Sequence, residues 1–142
     1  MSEDLRCIVY VSAAVVPMDE AALQALLLDA RWRNAASGLT GVLLHHDGNF
    51  MQCLEGTSEA VGAVYARIVR DRRHKSVYTL VDELVERRQF VNWTMGLATP
   101  PASQMLKLST ARWAKRSAVP LDPASAPSGL ELLKDFWEAS QR

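Results

Sequence analysis

The sequence predicts an α+β sandwich, and three observations predict it. Segments with strand and helix spacing follow one another in the order βαββαββ. The first and third strands are apolar on both faces, so both faces of their sheet need cover. After Pro100-Pro101 come two more segments with helical apolar stripes, which can supply the second cover.

"RCIVYVS" (6–12) is β-branched and apolar and reads as a strand. Ile8, Tyr10 and Ser12 share one of its faces, and Cys7, Val9 and Val11 the other. "MDEAALQALLLDARWRNAASG" (18–38) reads as a helix with Asp19 as cap, a stripe of Leu23, Leu26, Leu27 and Ala30, and Gly38 as stop. "LTGVLLHH" (39–46) and "NFMQCLE" (49–55) are strands joined by a hairpin turn at Asp47-Gly48. In the second of these, Phe50, Gln52 and Leu54 oppose Met51 and Cys53. "SEAVGAVYARIVRD" (58–71) is a second helix, and "YTLVDELV" (78–85) and "FVNWTMGLA" (90–98) are the last two strands. Trp93 and Met95 are expected on one face of the last strand. This order is of the ferredoxin-like type, with both helices on one face of an antiparallel sheet. "SQMLKLSTARWAKR" (103–116) and "SGLELLKDFWEASQR" (128–142) are expected to cap the other face, joined by the proline-broken "AVPLDPASAP" (118–127). The last helix opens with a Ser128/Glu131 capping box and carries Leu130, Leu133, Phe136 and Trp137 on one stripe. The expected division is residues 1–100 as a binding domain and 101–142 as a two-helix cap.

Lys plus Arg and Asp plus Glu both number 16 in 142 residues, a balance that argues against direct nucleic-acid binding. No apolar run approaches the ~18 residues of a membrane span. The start "MSEDLR" lacks a signal peptide's basic opening, so a cytoplasmic location is expected. Cys7 and Cys53 fall in apolar strands and are expected as buried thiols. His45-His46 reads as turn sequence, and no ligand spacing for a metal is present. There is no phosphate loop and no nucleophile elbow.

Three polar residues run against this apolar pattern: Tyr10 beside Ile8, Gln52 between Phe50 and Leu54, and Asn34 near the end of the first helix. Burying an amide without partners costs roughly 2–7 kcal/mol. Backbone hydrogen bonds could satisfy each one singly. Together they point to a planar polar ligand between the helices, since an amide matches a ring edge that alternates carbonyl and N–H.

The stretches "IVYVS" (8–12), "ARWRNAASGLTGVLL" (30–44), "NFMQCLEG" (49–56), "VYARIVRDRRH" (64–74) and "RRQFVNWTMG" (87–96) closely resemble the BLUF family, domains that sense blue light using flavin. The resemblance covers residues 5 to 98, and the F-x-Q-x-L-E-G run followed by R-I-x-x-D-x-R-H is specific. It implies a flavin, FAD before FMN, with its ring between the two helices. Tyr10 matches the photoactive tyrosine and Gln52 the switching glutamine that bridges it to the flavin. Asn34 matches the amide on the ring's pyrimidine edge. Arg67 and Asp71 match second-helix positions near the ring, and His74 ends the same motif, so all three join the expected cofactor set. Trp93 and Met95 match a last-strand pair whose packing changes with light. Arg33 stands where Asn or His is common, which leaves its contact between the ring, the ribityl chain and the phosphates open. Cys53 replaces a bulkier apolar residue.

The function implied is a blue-light photoreceptor that turns over no substrate, so an enzyme is not expected. Excited flavin takes an electron and a proton from Tyr10 through Gln52. Their return leaves Gln52 rearranged and the absorption shifted to the red. The output is expected to reach a signalling partner in trans from a homo-oligomer. The rivals are a small flavin-dependent reductase and a ligand- or RNA-binding ferredoxin-like module without flavin.

Overall fold

A computed structural model of the chain describes residues 4–91, 93–109 and 129–140. The elements are β1 (Leu5–Ala14), α1 (Glu20–Ser37), β2 (Thr40–His46), β3 (Asn49–Thr57), α2 (Ser58–Arg70), β4 (His74–Val85), β5 (Gly96–Ala98), α3 (Ala102–Ser109) and α4 (Gly129–Ser140). The five strands form one sheet in the order β4-β1-β3-β2-β5.

Local chemistry sets the element ends. Asp19 caps α1 by accepting from the Ala22 N–H at 2.8 Å, and Gly38 closes it in the left-handed conformation at φ 69°. Thr57 caps α2 in the same way through Ala60 at 3.2 Å. Asp47 and Gly48 both take positive φ, as a two-residue hairpin turn of the I′ kind requires. His45 belongs to this turn: its Nε2 accepts from the Gly48 N–H at 3.2 Å, and its ring packs on Phe50.

Strand parity divides the interior into two cores. Ile8, Tyr10, Leu43, Phe50 and Leu54 face α1 and α2, where Leu23, Leu27, Val61, Val64 and Ile68 cover them. Cys7, Val9, Val42, Met51 and Cys53 face the other way, under Met105 and Leu108 of α3 and Leu133 and Trp137 of α4. The two-sided strands therefore receive the second cover the sequence called for. Burying each such side chain contributes roughly 1.5–3 kcal/mol. The Cys7 and Cys53 thiols are both buried and unbridged, with sulfurs 3.7 Å apart.

Three expectations need correction. The sheet is mixed, because β5 pairs with β2 in parallel while the other pairings are antiparallel. β4 begins at His74 rather than Tyr78, since it continues across a register shift to pair with Ala13 and Ala14. The predicted strand over 90–98 is extended only at Gly96–Ala98. Its earlier part follows an irregular path, so Trp93 and Met95 do not share a face. Met95 enters the core under α1 and α2, whereas Trp93 packs against Trp137 on the opposite side. The connector 118–127, Trp113 and Ser128 of the predicted capping box lie outside the described residues. No described helix is long and apolar enough to cross a membrane.

Candidate functional site: a polar cleft under the helices

β1 and β3 pair so that Tyr10 lies directly opposite Gln52. Both are buried, at 4% exposure each. The Tyr10 hydroxyl donates to Gln52 Oε1. On its other side the same amide donates from Nε2 to the sulfur of Met95 at 3.4 Å. Burial pushes the Tyr10 phenol well above its ordinary value, and the Arg33 cation opposes that only in part. The phenol therefore stays protonated at neutral pH and acts as a donor. Its ring packs against Tyr65 at 5.5 Å and His74 at 6.2 Å.

Tyr10 and Gln52 line a narrow, partly open cleft between the sheet and the helices, with a cavity volume of about 30 Å³. Its apolar wall comes from Met18, Leu26, Ala30, Leu43, Phe50 and Ile68, and its polar wall from Arg33, Asp71, Arg73 and His74. His74 is fixed at both ring nitrogens, Nδ1 by Ser12 Oγ at 3.0 Å and Nε2 by the Ile68 carbonyl. Asp71 is taken up by Arg73, whose side chain and backbone N–H all bond it. The hydrogen bonds from Arg73 hold the Asp71 carboxyl below its ordinary value. Arg73 also reaches Asp29 at 3.0 Å, tying α1 to the turn between α2 and β4.

Two groups here lack what burial demands. The Arg33 Nε is buried without a hydrogen-bond partner, and so is Oδ1 of Asn34, a residue with 0% exposure. Nδ2 of Asn34 is satisfied by the Thr94 carbonyl at 3.0 Å. Each unmet polar atom costs about 1–3 kcal/mol. An N–H suits the unmet Asn34 oxygen and an acceptor suits the unmet Arg33 donor, and a flavin ring edge carries both kinds of group. Burial lowers the Arg33 pKa, another cost that a polar ligand would reduce.

The cleft thus gathers Tyr10, Gln52, Arg33, Asp71 and His74, with Asn34 buried next to Arg33 in the chain. Arg67 is not brought in. The buried stripe of α2 runs through Val61, Val64 and Ile68, and Arg67 lies off that stripe and exposed. Sequence reasoning missed Arg73, read as part of a solvated basic helix end. It also missed Glu55, although a carboxylate in step with Met51 and Cys53 is itself a signal. Glu55 is fully buried, and its two oxygens accept from the Gln89 N–H at 2.6 Å and the Phe90 N–H at 2.8 Å. Among the described residues, Glu55, Cys7 and Cys53 are the one grouping of metal-type ligands. Its carboxylate is already engaged, and the bond with Cys7 together with burial pushes the Cys53 thiol well above its ordinary value.

A family model described as "BLUF: Sensors of blue-light using FAD" matches residues 5–96. The photoactivated adenylate cyclase subunit beta of Euglena gracilis is 42% identical over 96 residues, which are 67% of this chain and 11% of that protein. The subunit beta-like protein ST- of the same organism is 38% identical over 110 residues, 72% of this chain and 13% of its own length. The chain therefore spans only about a tenth of these relatives. The dark-state structure of BlrB, a BLUF protein, superposes with a TM-score of 0.76 over 99% of both chains, at 23% identity, a likeness of fold. BlrP1 of Klebsiella pneumoniae, solved as a manganese/cy-diGMP complex, is 32% identical with a TM-score of 0.62, over 67% of this chain and 24% of that one.

Proposed function

The chain belongs to the BLUF family of blue-light sensors that use flavin, and we propose that it is a photoreceptor in which the amide of Gln52 is the switch. The observation that carries this reading is the placement of that amide. Gln52 Oε1 accepts from Tyr10, and Gln52 Nε2 donates to Met95, inside a cleft that also holds the unmet donor of Arg33.

FAD is the proposed cofactor, held by Asn34 through its free Oδ1 and by Arg33, with Asp71 and His74 lining the same cleft as Arg33. When bound, the flavin supplies blue absorption and an excited state that accepts an electron. Tyr10 gives up an electron and its hydroxyl proton and then regains both. The proton path runs through Gln52, because the hydroxyl already donates to that side chain. Rotation of the amide exchanges its donor and acceptor ends. A thioether accepts hydrogen bonds but has none to donate, so the exchange breaks the contact with Met95. The Gln52 side chain thereby has two arrangements that differ in what they do to Met95, as a switch requires.

The signal is proposed to pass from Met95 to Gly96 and Trp93 and from there to α4. Gly96 lies so close to Trp137 that a Cβ there would stand 2.4 Å from the ring. Residues 1–100 are then the sensing unit and 101–142 the cap that carries the change to a signalling partner in trans, within a homo-oligomer. The sensor itself turns over no substrate.

Gln52→Leu is expected to bind flavin and to show no light-induced red shift, because leucine keeps the volume but can neither bridge nor rotate. Asn34→Ala is expected to weaken flavin retention about two- to tenfold, the worth of one neutral hydrogen bond of ~0.5–1.5 kcal/mol. Absorption spectra under blue light, with equilibrium dialysis of flavin, check both. A reversible red shift in Gln52→Leu with unchanged kinetics would remove Gln52 from the switch.

A further inference from the structure

Six of the described residues on the path between β4 and β5 are held by hydrogen bonds to other elements. At its start, Arg88 donates to Thr40 Oγ1 at 3.1 Å, and the N–H groups of Gln89 and Phe90 donate to the Glu55 carboxylate at 2.6 and 2.8 Å. In its middle, the Trp93 carbonyl accepts from the Gly41 N–H at 2.8 Å. At its end, two carbonyls are held from α1: Thr94 by Asn34 Nδ2 at 3.0 Å and Met95 by Arg31 Nε at 2.9 Å. Every one of these anchors lies on α1, β2 or β3, and the last residue they fix is the one whose sulfur takes the Gln52 amide.

We propose that Glu55 and Arg31 are positioning residues for the light switch, holding the two ends of a strap that sets the Met95 sulfur against Gln52. This rests on the reading of Gln52 as the switch. Neither residue lines the cleft. Glu55 points into the opposite core, three positions beyond Gln52 on β3, and Arg31 is exposed on α1. The carboxylate is suited to its end because two adjacent backbone N–H groups need two acceptor oxygens at once, and bonds to a charged acceptor are the stronger kind. Arg31 is suited to the other end because a guanidinium reaches a carbonyl on a neighbouring element without burying its charge. Loosening either end weakens the Gln52–Met95 contact of the dark arrangement. Return to the dark state, which re-forms that contact, then becomes slower.

The test measures dark recovery after blue light in the flavin-loaded full chain. Glu55→Gln keeps the shape of the side chain but presents an amide N–H₂ to one of two backbone donors. Arg31→Ala removes an exposed side chain and leaves no internal hole. Both are expected to retain flavin and the red shift and to recover at least about threefold more slowly, a modest share of the tenfold that 1.36 kcal/mol would give. Arg31→Lys, which keeps a donor, is expected to restore most of the rate. In a Met95→Leu background, Arg31→Ala is expected to change nothing further, since the strap acts through the sulfur. If Glu55→Gln fails to fold, the Arg31 series decides alone. Wild-type recovery in Arg31→Ala, or an undiminished Arg31 effect in the Met95→Leu background, overturns the proposal. A wild-type chain that binds flavin and shows no red shift overturns the switch reading and the strap with it.

Discussion

Tyr10→Phe keeps flavin bound and loses the light-induced red shift altogether. The phenyl ring fills the same space between Tyr65 and His74, so the wall of the cleft survives. What disappears is the hydroxyl that donates to Gln52 Oε1. With it goes the proton, and a phenyl ring is a far poorer electron donor than a phenol. Gln52 loses one partner, at a cost of about 0.5–1.5 kcal/mol, which a domain stable by ~5–15 kcal/mol absorbs. The variant should therefore be yellow, folded and unresponsive. Difference spectra before and after blue light, at matched flavin loading, check this, and a normal red shift would remove Tyr10 from the mechanism.

Gly41→Ala is expected to be the most damaging small substitution on the sheet. A Cβ at Gly41 would stand 1.9 Å from the backbone oxygen of Cys53 and 2.9 Å from its carbonyl carbon. Backbone in the middle of a three-strand pairing has no rotamer to change, so β2 and β3 must separate. Cys53 directly follows Gln52, and the Gly41 N–H holds the Trp93 carbonyl, so the same shift disturbs the switch and its strap. Overpacking of this kind costs about 3 kcal/mol or more, and a melting temperature lower by roughly 10 °C is expected. Gly48→Ala is the control. Gly48 has positive φ but nothing within 4 Å of an added Cβ, so only conformational strain of ~1–2 kcal/mol applies. Thermal melts of the two variants should differ clearly. Equal melting temperatures would mean that the close approach at Gly41 is not a constraint.

The fold was legible where pattern and period suffice. Alternation put Tyr10 in step with Ile8 and Gln52 in step with Phe50 and Leu54, and the pairing register sets the two side by side under the helices. The same alternation marked Cys7, Val9, Met51 and Cys53 as needing a second cover, and the apolar stripes after Pro100-Pro101 supplied it. The segment before β5 was not legible. Counting by twos assumes an extended chain, and between Phe90 and Met95 the chain is bent by partners far away in sequence. Glu55 is 34 and 35 residues from the N–H groups it holds, and Asn34 is 60 residues from Thr94. No local pattern encodes such bonds, so a period of two gives Trp93 and Met95 one face, whereas they pack on opposite sides of the sheet. The parallel pairing of β5 with β2 is likewise a choice of partner, which strand propensity does not carry. In the site, residue types pointed to Tyr10, Gln52 and Asn34 because they break an apolar pattern. Asp71 is reached only through the family resemblance, and Arg73, which takes up its carboxylate, is hidden in a basic run that reads as a solvated helix end.

The most direct test of the central claim is the visible absorption spectrum of the chain, purified with flavin available, taken in the dark, after blue light, and again after a dark interval. The account predicts a yellow protein whose flavin bands move to the red on illumination and return in the dark, cycle after cycle. A colourless protein, or a bound flavin that NADH bleaches and blue light leaves unshifted, would contradict it.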